Sequence, residues 1–387
     1  MPFYYRLGSF PHKRHVTFYK PSGELFREQV MGTKGFSGIQ SILYHHNPPT
    51  QVREAKRYAQ LDLQFVPSEV LKHRHFLTFD LPAGGDPISG RKYLLGNQDV
   101  LIGVCVPTER MDYFYRNADG YELLFVHEGE GELQTIYGTI PYRKGDYLVI
   151  PVGTTYRIEA TSGTSRFLVL ESQNDIVTPK RYRNEHGQLL EHAPFCERDI
   201  RPPERLVTHD EAGDFEVRVK QQNTLYSYRF DFHPFDVVGW DGYLFPYALS
   251  IYDFEPITGR IHQPPPVHQT FDGQQFVVCS FVPRLYDYHP QAIPAPYYHS
   301  NIESDEVLYY VEGNFMSRKG IREGSITLHP MGIPHGPHPG KIEESIGKKE
   351  TKELAVMVDT FRPLQVTRQA MAVEDPDYMY SWLPSEK

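Results

Sequence analysis

Hydrophobic residues in this chain come in short runs, each closed by Gly, Pro, Asn or Asp, and few of them recur at helical spacing. VLYYVEG ends in Gly, IREG follows as a turn, and SITLHP is a second run closed by Pro. Apolar runs between such breakers are the pattern of tightly connected β-strands. HFLTFDLP and KYLLGNQDVLIGVCVP read the same way. Composition agrees with the pattern. The 27 Tyr and 23 Phe favour strands, while the 32 Pro are excluded from helix interiors and central strands. The chain is therefore predicted to be all-β with few short helices, REAKRYAQLDLQF at residues 53–65 being one of those few candidates. Residues 175–230 are charged and Pro-rich and read as a loop over a barrel surface, the kind of long loop that carries function or an interface. FDVVGWDGYLFPYALSIYDF, from Phe235, is dense in aromatics that either line a cavity for a flat ring or pack the second half. PDYMYSWLPSEK is expected to trail loosely.

One stretch occurs twice. Glu122 precedes Gly129 by seven residues and Gly145 precedes Pro151 by six, as Glu306 precedes Gly313 and Gly324 precedes Pro330. YELLFVHEG and DEVLYYVEG stand at matching places before a turn and a second strand. Repetition at this separation predicts two duplicated β-barrels, divided as an N-terminal unit at 1–175, a connecting segment at 176–230 and a C-terminal unit at 231–387. The copies differ in their polar residues. The first has Asp112, Phe114 and Arg116 ahead of its Glu and Thr154 after its Pro, without His in either place. It is expected to be structural and metal-free, with His127 filling space.

The formal charge of −9 leaves no Lys/Arg surplus to neutralise phosphates, which argues against nucleic acid as a partner. No apolar run approaches the roughly 18 residues of a membrane span. The N-terminal residues lack the apolar core of a signal peptide. Cys105, Cys196 and Cys279 are far apart and odd in number, which suits a reducing compartment. A cytoplasmic protein is expected.

The second copy concentrates the chemistry. Between Tyr297 and His338 it holds His299, Asp305, Glu306, His329, His335 and His338. Two histidines and one carboxylate converging from separate strands, with positions left open, form the facial triad of non-heme Fe(II) oxygenases. Counting back from Gly313 selects Glu306 rather than Asp305, and strand alternation lets only one of the two point inward. His329 ends a strand, near the metal or packed under the turn; His338 follows Pro337 and is expected to be solvated. Upstream, His262 and His268 flank a triple proline that stiffens the segment into an arm able to deliver an acid–base group. His12 and His15 are given a surface or interface role. His186, His192 and His209 lack partners at metal spacing.

Duplicated E-x6-G and G-x5-P blocks resemble the cupin superfamily of double-stranded β-helix barrels, so the chain looks like a bicupin. HPFDVVGWDGYLFPY, RIHQPPPVHQTF, FVPR, YYHSN and PHGPH, in this order, resemble the homogentisate 1,2-dioxygenase family, most clearly over residues 230–340. The resemblance implies Fe(2+) held by His299, Glu306 and His335, acid–base work by His262 with His268 as runner-up, and ring opening of homogentisate by O₂ to maleylacetoacetate. It places His335 and Phe315 against the substrate, Phe315 standing where well-known members carry a Tyr, so the alternatives are a related cupin dioxygenase acting on another dihydroxyphenyl or aminophenol substrate, or a metal-binding cupin without redox chemistry. Arg284, in FVPR, is the candidate partner for a substrate carboxylate. The partners implied are a small aromatic substrate, O₂ and further copies of the chain in a homo-oligomer.

Overall fold

The computed structural model describes residues 3–161, 163–313, 315 and 320–383. Its architecture is all-β, as the hydrophobic pattern predicts. Among the described residues the α-helices are two short ones, Lys341–Ser345 and Arg368–Met371, and no helix is long and apolar enough to cross a membrane.

The duplication is visible in the strand pairing. In the first barrel the strand Tyr121–Glu128 lies between Asp146–Ile150 and Arg166–Ser172. In the second, Asp305–Glu312 lies between Ile326–His329 and Leu354–Thr360. The registers correspond. Glu122 sits opposite Ile150 and Glu171, and Glu306 sits opposite His329 and Asp359. Tyr115 pairs with Tyr156 in the first barrel, as His299 pairs with His335 in the second. The repeated glycines have a physical reason: Gly129, Gly145, Gly313 and Gly324 all have φ between 73° and 106°, a left-handed conformation that a Cβ disfavours.

The sheets cross the divisions expected at 175 and 230. Arg74–Phe76 adds to the second barrel's sheet beside Ile326–His329. Tyr247–Ser250 and Gln365–Thr367 add to the first barrel's sheet. One apolar core runs through both, with Leu123, Phe125 and Tyr147 clustered with Phe271, Val307 and Tyr309. The Tyr147 ring meets Phe271 edge-on at 5.4 Å, and its hydroxyl lies 2.8 Å from Ser280 Oγ. His127 is part of this seam, with Nδ1 2.8 Å from the Tyr309 hydroxyl.

Four local expectations are corrected. The helix expected at 53–65 is a strand, Glu54–Gln60, on the edge of a seven-stranded sheet beside Thr224–Phe232; ladder pairing there overrides a weak helical preference. The loop expected at 175–230 ends in a long hairpin, Ala212–Gln221 with Thr224–Phe232, turned by Gln222 and Asn223 at φ 50° and 56°. The aromatic stretch from Phe235 packs elsewhere than the second barrel. Val237–Gly242 pairs with Tyr5–Gly8 and Gln40–His45, and Trp240 is fully buried, its Nε1–H donating to Tyr137 O at 2.7 Å. The C-terminal segment is packed as far as Leu383, with Tyr378 3% exposed and Trp382 Nε1–H donating to Gly336 O at 3.1 Å; residues 384–387 lie outside the described residues.

Candidate metal centre

Asp305 and Glu306 begin one strand, and the pleat sends them to opposite faces. The Asp305 carboxylate accepts Met331 N–H at 2.8 Å and Leu364 N–H at 2.7 Å, so it braces the turn after the neighbouring strand and the final crossover. Glu306 faces the barrel interior. His299 and His335 exchange two backbone hydrogen bonds of 2.8 Å each, which puts their side chains on one side with ring centroids 4.3 Å apart. His299 Nε2 lies 3.7 Å from Glu306 Oε2, and His335 Nε2 lies 3.4 Å from Oε1. One ligand atom from each residue falls within 4.8 Å of the others.

This set fits a divalent transition metal. His335 Nε2 is buried without a hydrogen-bond partner and faces the carboxylate. Burial alone would raise the Glu306 carboxyl, but the imidazoles of His299, His329 and His335 override it and hold the group well below its ordinary range. An ionised carboxylate with two imidazole nitrogens is a donor set suited to Fe, Mn or Zn. Asp359, across the ladder, behaves oppositely: burial first, and then Glu306, push its carboxyl upward.

His329 is in direct contact with the triad. It is fully buried and stacked on His335 at 4.6 Å, with Nδ1 2.7 Å from Glu306 Oε1 and Nε2 3.1 Å from the Tyr378 hydroxyl. His338, expected to be solvated, is fully buried. It meets Trp382 edge-on at 4.5 Å, and Nε2 lies 3.2 Å from Ser381 Oγ. The packed C-terminal segment covers it, and linear sequence gives no sign of that cover.

A cavity of about 230 Å³ opens beside the triad, and His262, His268, Phe281, Arg284, Tyr297 and Phe315 are among its walls. His262 is exposed, with Nε2 3.0 Å from the Tyr297 hydroxyl and Nδ1 3.7 Å from Asp287. His268 is buried against Phe281 at 4.6 Å. Burial, with Arg284 and His262 nearby, lowers it to about 3, so it stays neutral. Burial also lowers the Arg284 guanidinium, whose Nη1 donates to Val282 O at 3.1 Å. Phe315 packs edge-on to Tyr310 at 4.5 Å. Tyr297 was missed by sequence reasoning, although it stands two residues before His299 and so on the same face of an extended segment.

The first barrel holds Tyr115, Glu122 and Tyr156 where the second holds His299, Glu306 and His335. Arg91 pairs with Glu122 and with Glu171, 2.9 Å away, while the Tyr156 hydroxyl donates to Glu122 at 2.7 Å. A guanidinium thus neutralises the carboxylate there. A second cluster was not legible in linear spacing: His209, Glu211 and His233 come together at the base of the long hairpin, with His209 and His233 stacked at 3.8 Å.

Two family models match the chain. Residues 87–253 match the model described as homogentisate 1,2-dioxygenase N-terminal, and residues 262–387 match the C-terminal one. A protein of Saccharolobus solfataricus, named as a provisional dioxygenase with no stated substrate, is 44% identical over 388 residues and the full length of both chains. A homogentisate 1,2-dioxygenase of Rhodopseudomonas palustris is 28% identical over 300 residues, covering 73% of this chain and 65% of that protein. One from Nitrobacter hamburgensis is 30% identical over 297 residues, covering 72% and 64%. A solved cupin 2 conserved barrel domain protein from Leptotrichia buccalis aligns with 79% of this chain and 100% of its own, at 9% identity and a TM-score of 0.33. With both family models matched in order, one on each barrel, the chain belongs to the homogentisate 1,2-dioxygenase family.

Proposed function

We propose that this chain is a ring-cleaving non-heme Fe(II) dioxygenase that converts homogentisate and O₂ to maleylacetoacetate. The observation that carries the reading is the convergence of His299, Glu306 and His335 at the wall of an aromatic-lined cavity. His299, Glu306 and His335 would hold the iron, which would bind a phenolate and O₂ and pass electrons between them. The protein's own residues do the rest. His262 is exposed enough to exchange protons and lies on the cavity wall, so it takes the phenol proton, with Asp287 and Tyr297 orienting its ring. Phe281, Tyr310 and Phe315 wall the aromatic ring and exclude water. Arg284 presents a desolvated guanidinium to the substrate carboxylate.

A second reading is favoured by one residue. Phe315 supplies no hydroxyl where the family resemblance implies a Tyr against the substrate, so a different dihydroxyphenyl acid is the alternative. The test is oxygen uptake by the Fe(II)-loaded protein, prepared anaerobically and given homogentisate, gentisate or other dihydroxyphenyl acids in turn. Uptake with homogentisate alone, with one O₂ consumed per ring opened, supports the first reading. Preference for another acid selects the second. No uptake with any of them sinks both.

A further inference from the structure

We infer that Tyr378, carried in by the C-terminal segment, is a positioning residue that orients the Glu306 carboxylate through His329. This rests on the reading of Glu306 as a metal ligand and adds a residue to it. Three observations support it. The Tyr378 hydroxyl lies 3.1 Å from His329 Nε2, and His329 Nδ1 lies 2.7 Å from Glu306 Oε1. An ionised carboxylate only accepts hydrogen bonds, so Nδ1 of His329 donates to Glu306. In the neutral ring Nε2 must then accept, and the Tyr378 O–H is its donor. The chain of donors runs from Tyr378 to His329 to Glu306, fixing the tautomer of the imidazole and the rotation of the carboxylate.

The second observation is burial. His329 is fully buried and Tyr378 is 3% exposed, so neither contact exchanges readily with water. Tyr378 sits on a short turn, Tyr378–Tyr380, tied down by Asp375 N–H donating to His75 O at 2.8 Å. Two residues beyond that turn Trp382 reaches Gly336 O, next to the ligand candidate His335.

The third is the contrast between barrels. The position opposite Glu122 is Ile150, while the one opposite Glu306 is His329. An isoleucine donates nothing, and Glu122 is held by Arg91 and Tyr156 instead. The donor occurs in the barrel that has the triad.

The experiment titrates Co(II) into the metal-free full chain and into Tyr378→Phe, His329→Leu and His329→Asn, with the melting temperature of each metal-free protein as a control. Partners that orient a ligand change metal affinity by about 10–100-fold. Tyr378→Phe, which keeps the ring, is expected to weaken Co(II) by about tenfold and His329→Leu by about 100-fold. His329→Asn, whose amide N–H replaces Nδ1–H, is expected to recover most of that loss. Tyr378→Phe leaves the buried His329 Nε2 without its donor, so its metal-free melting should fall modestly; titrating Co(II) at a temperature where every metal-free protein is folded separates positioning from folding. Co(II) binding as tight in Tyr378→Phe and His329→Leu as in the parent overturns the inference, as does His329→Asn behaving like His329→Leu. A parent that binds no Co(II) overturns the assignment of Glu306 as a ligand, a different failure.

Discussion

Asp305 and Glu306 are adjacent carboxylates with opposite work. Glu306→Ala removes the charged member of the triad and is expected to abolish metal binding while leaving the fold intact, read by metal content of the purified protein. Asp305→Ala keeps the metal but strips the acceptor from Met331 and Leu364 N–H. That should cost about 2 kcal/mol of stability, read from the urea midpoint. The reverse pattern would exchange the two roles. His262→Ala should keep the metal and slow turnover by about 10²–10⁴-fold, the range of a lost acid–base group; metal loss would make it a ligand instead. That Glu306 rather than Asp305 faces His299 and His335 was legible because seven-residue counting and a two-residue pleat are both properties of linear sequence. His329 was only half legible. Its strand-end position was readable, but its contact with Glu306 comes from ladder register, which a single chain does not state.

Strands and turns were read best where the pattern was local. The two motif copies, with their glycines at positive φ, appear as twin three-strand units in matching register. Reading failed where an element takes its identity from a distant partner. Residues 54–60 are mostly exposed and become a strand because Thr224–Phe232 offers them an edge. The C-terminal segment, as far as Leu383, is fixed by contacts to His329, His338 and Gly336. The same long-range exchange predicts that the barrels do not separate. A fragment ending at residue 175 lacks Tyr247–Ser250 and Gln365–Thr367, and one beginning at 176 lacks Arg74–Phe76. Each leaves a bare sheet edge, which invites aggregation. Expressed alone, both fragments should be insoluble, whereas co-expression should restore a soluble complex; two soluble monomeric halves would contradict the shared core.

Across the whole molecule, buried histidines set the response to acid. Burial lowers His127 and His233 to about 4 and His268 to about 3, from an ordinary value of 6.5. Between about pH 6.5 and 4 the unfolded chain takes up protons at these sites and the folded chain does not. Stability therefore rises with pH across that window and is lost as the pH falls. Asp359 opposes one of the three, since its raised carboxyl holds a proton in the folded state over the same range. Burial lowers His75 as well; each uncompensated proton contributes at most about 1.4 kcal/mol per pH unit, so stability should fall as the pH is lowered from 7 to 5. Urea unfolding of the metal-free protein at pH 7, 6 and 5 measures this. His127→Gln preserves a polar group beside Tyr309 but cannot titrate, and should flatten the slope by about one proton's worth. An unchanged slope in that variant would mean that His127 titrates alike in the folded and the unfolded chain, which would overturn its lowering by burial.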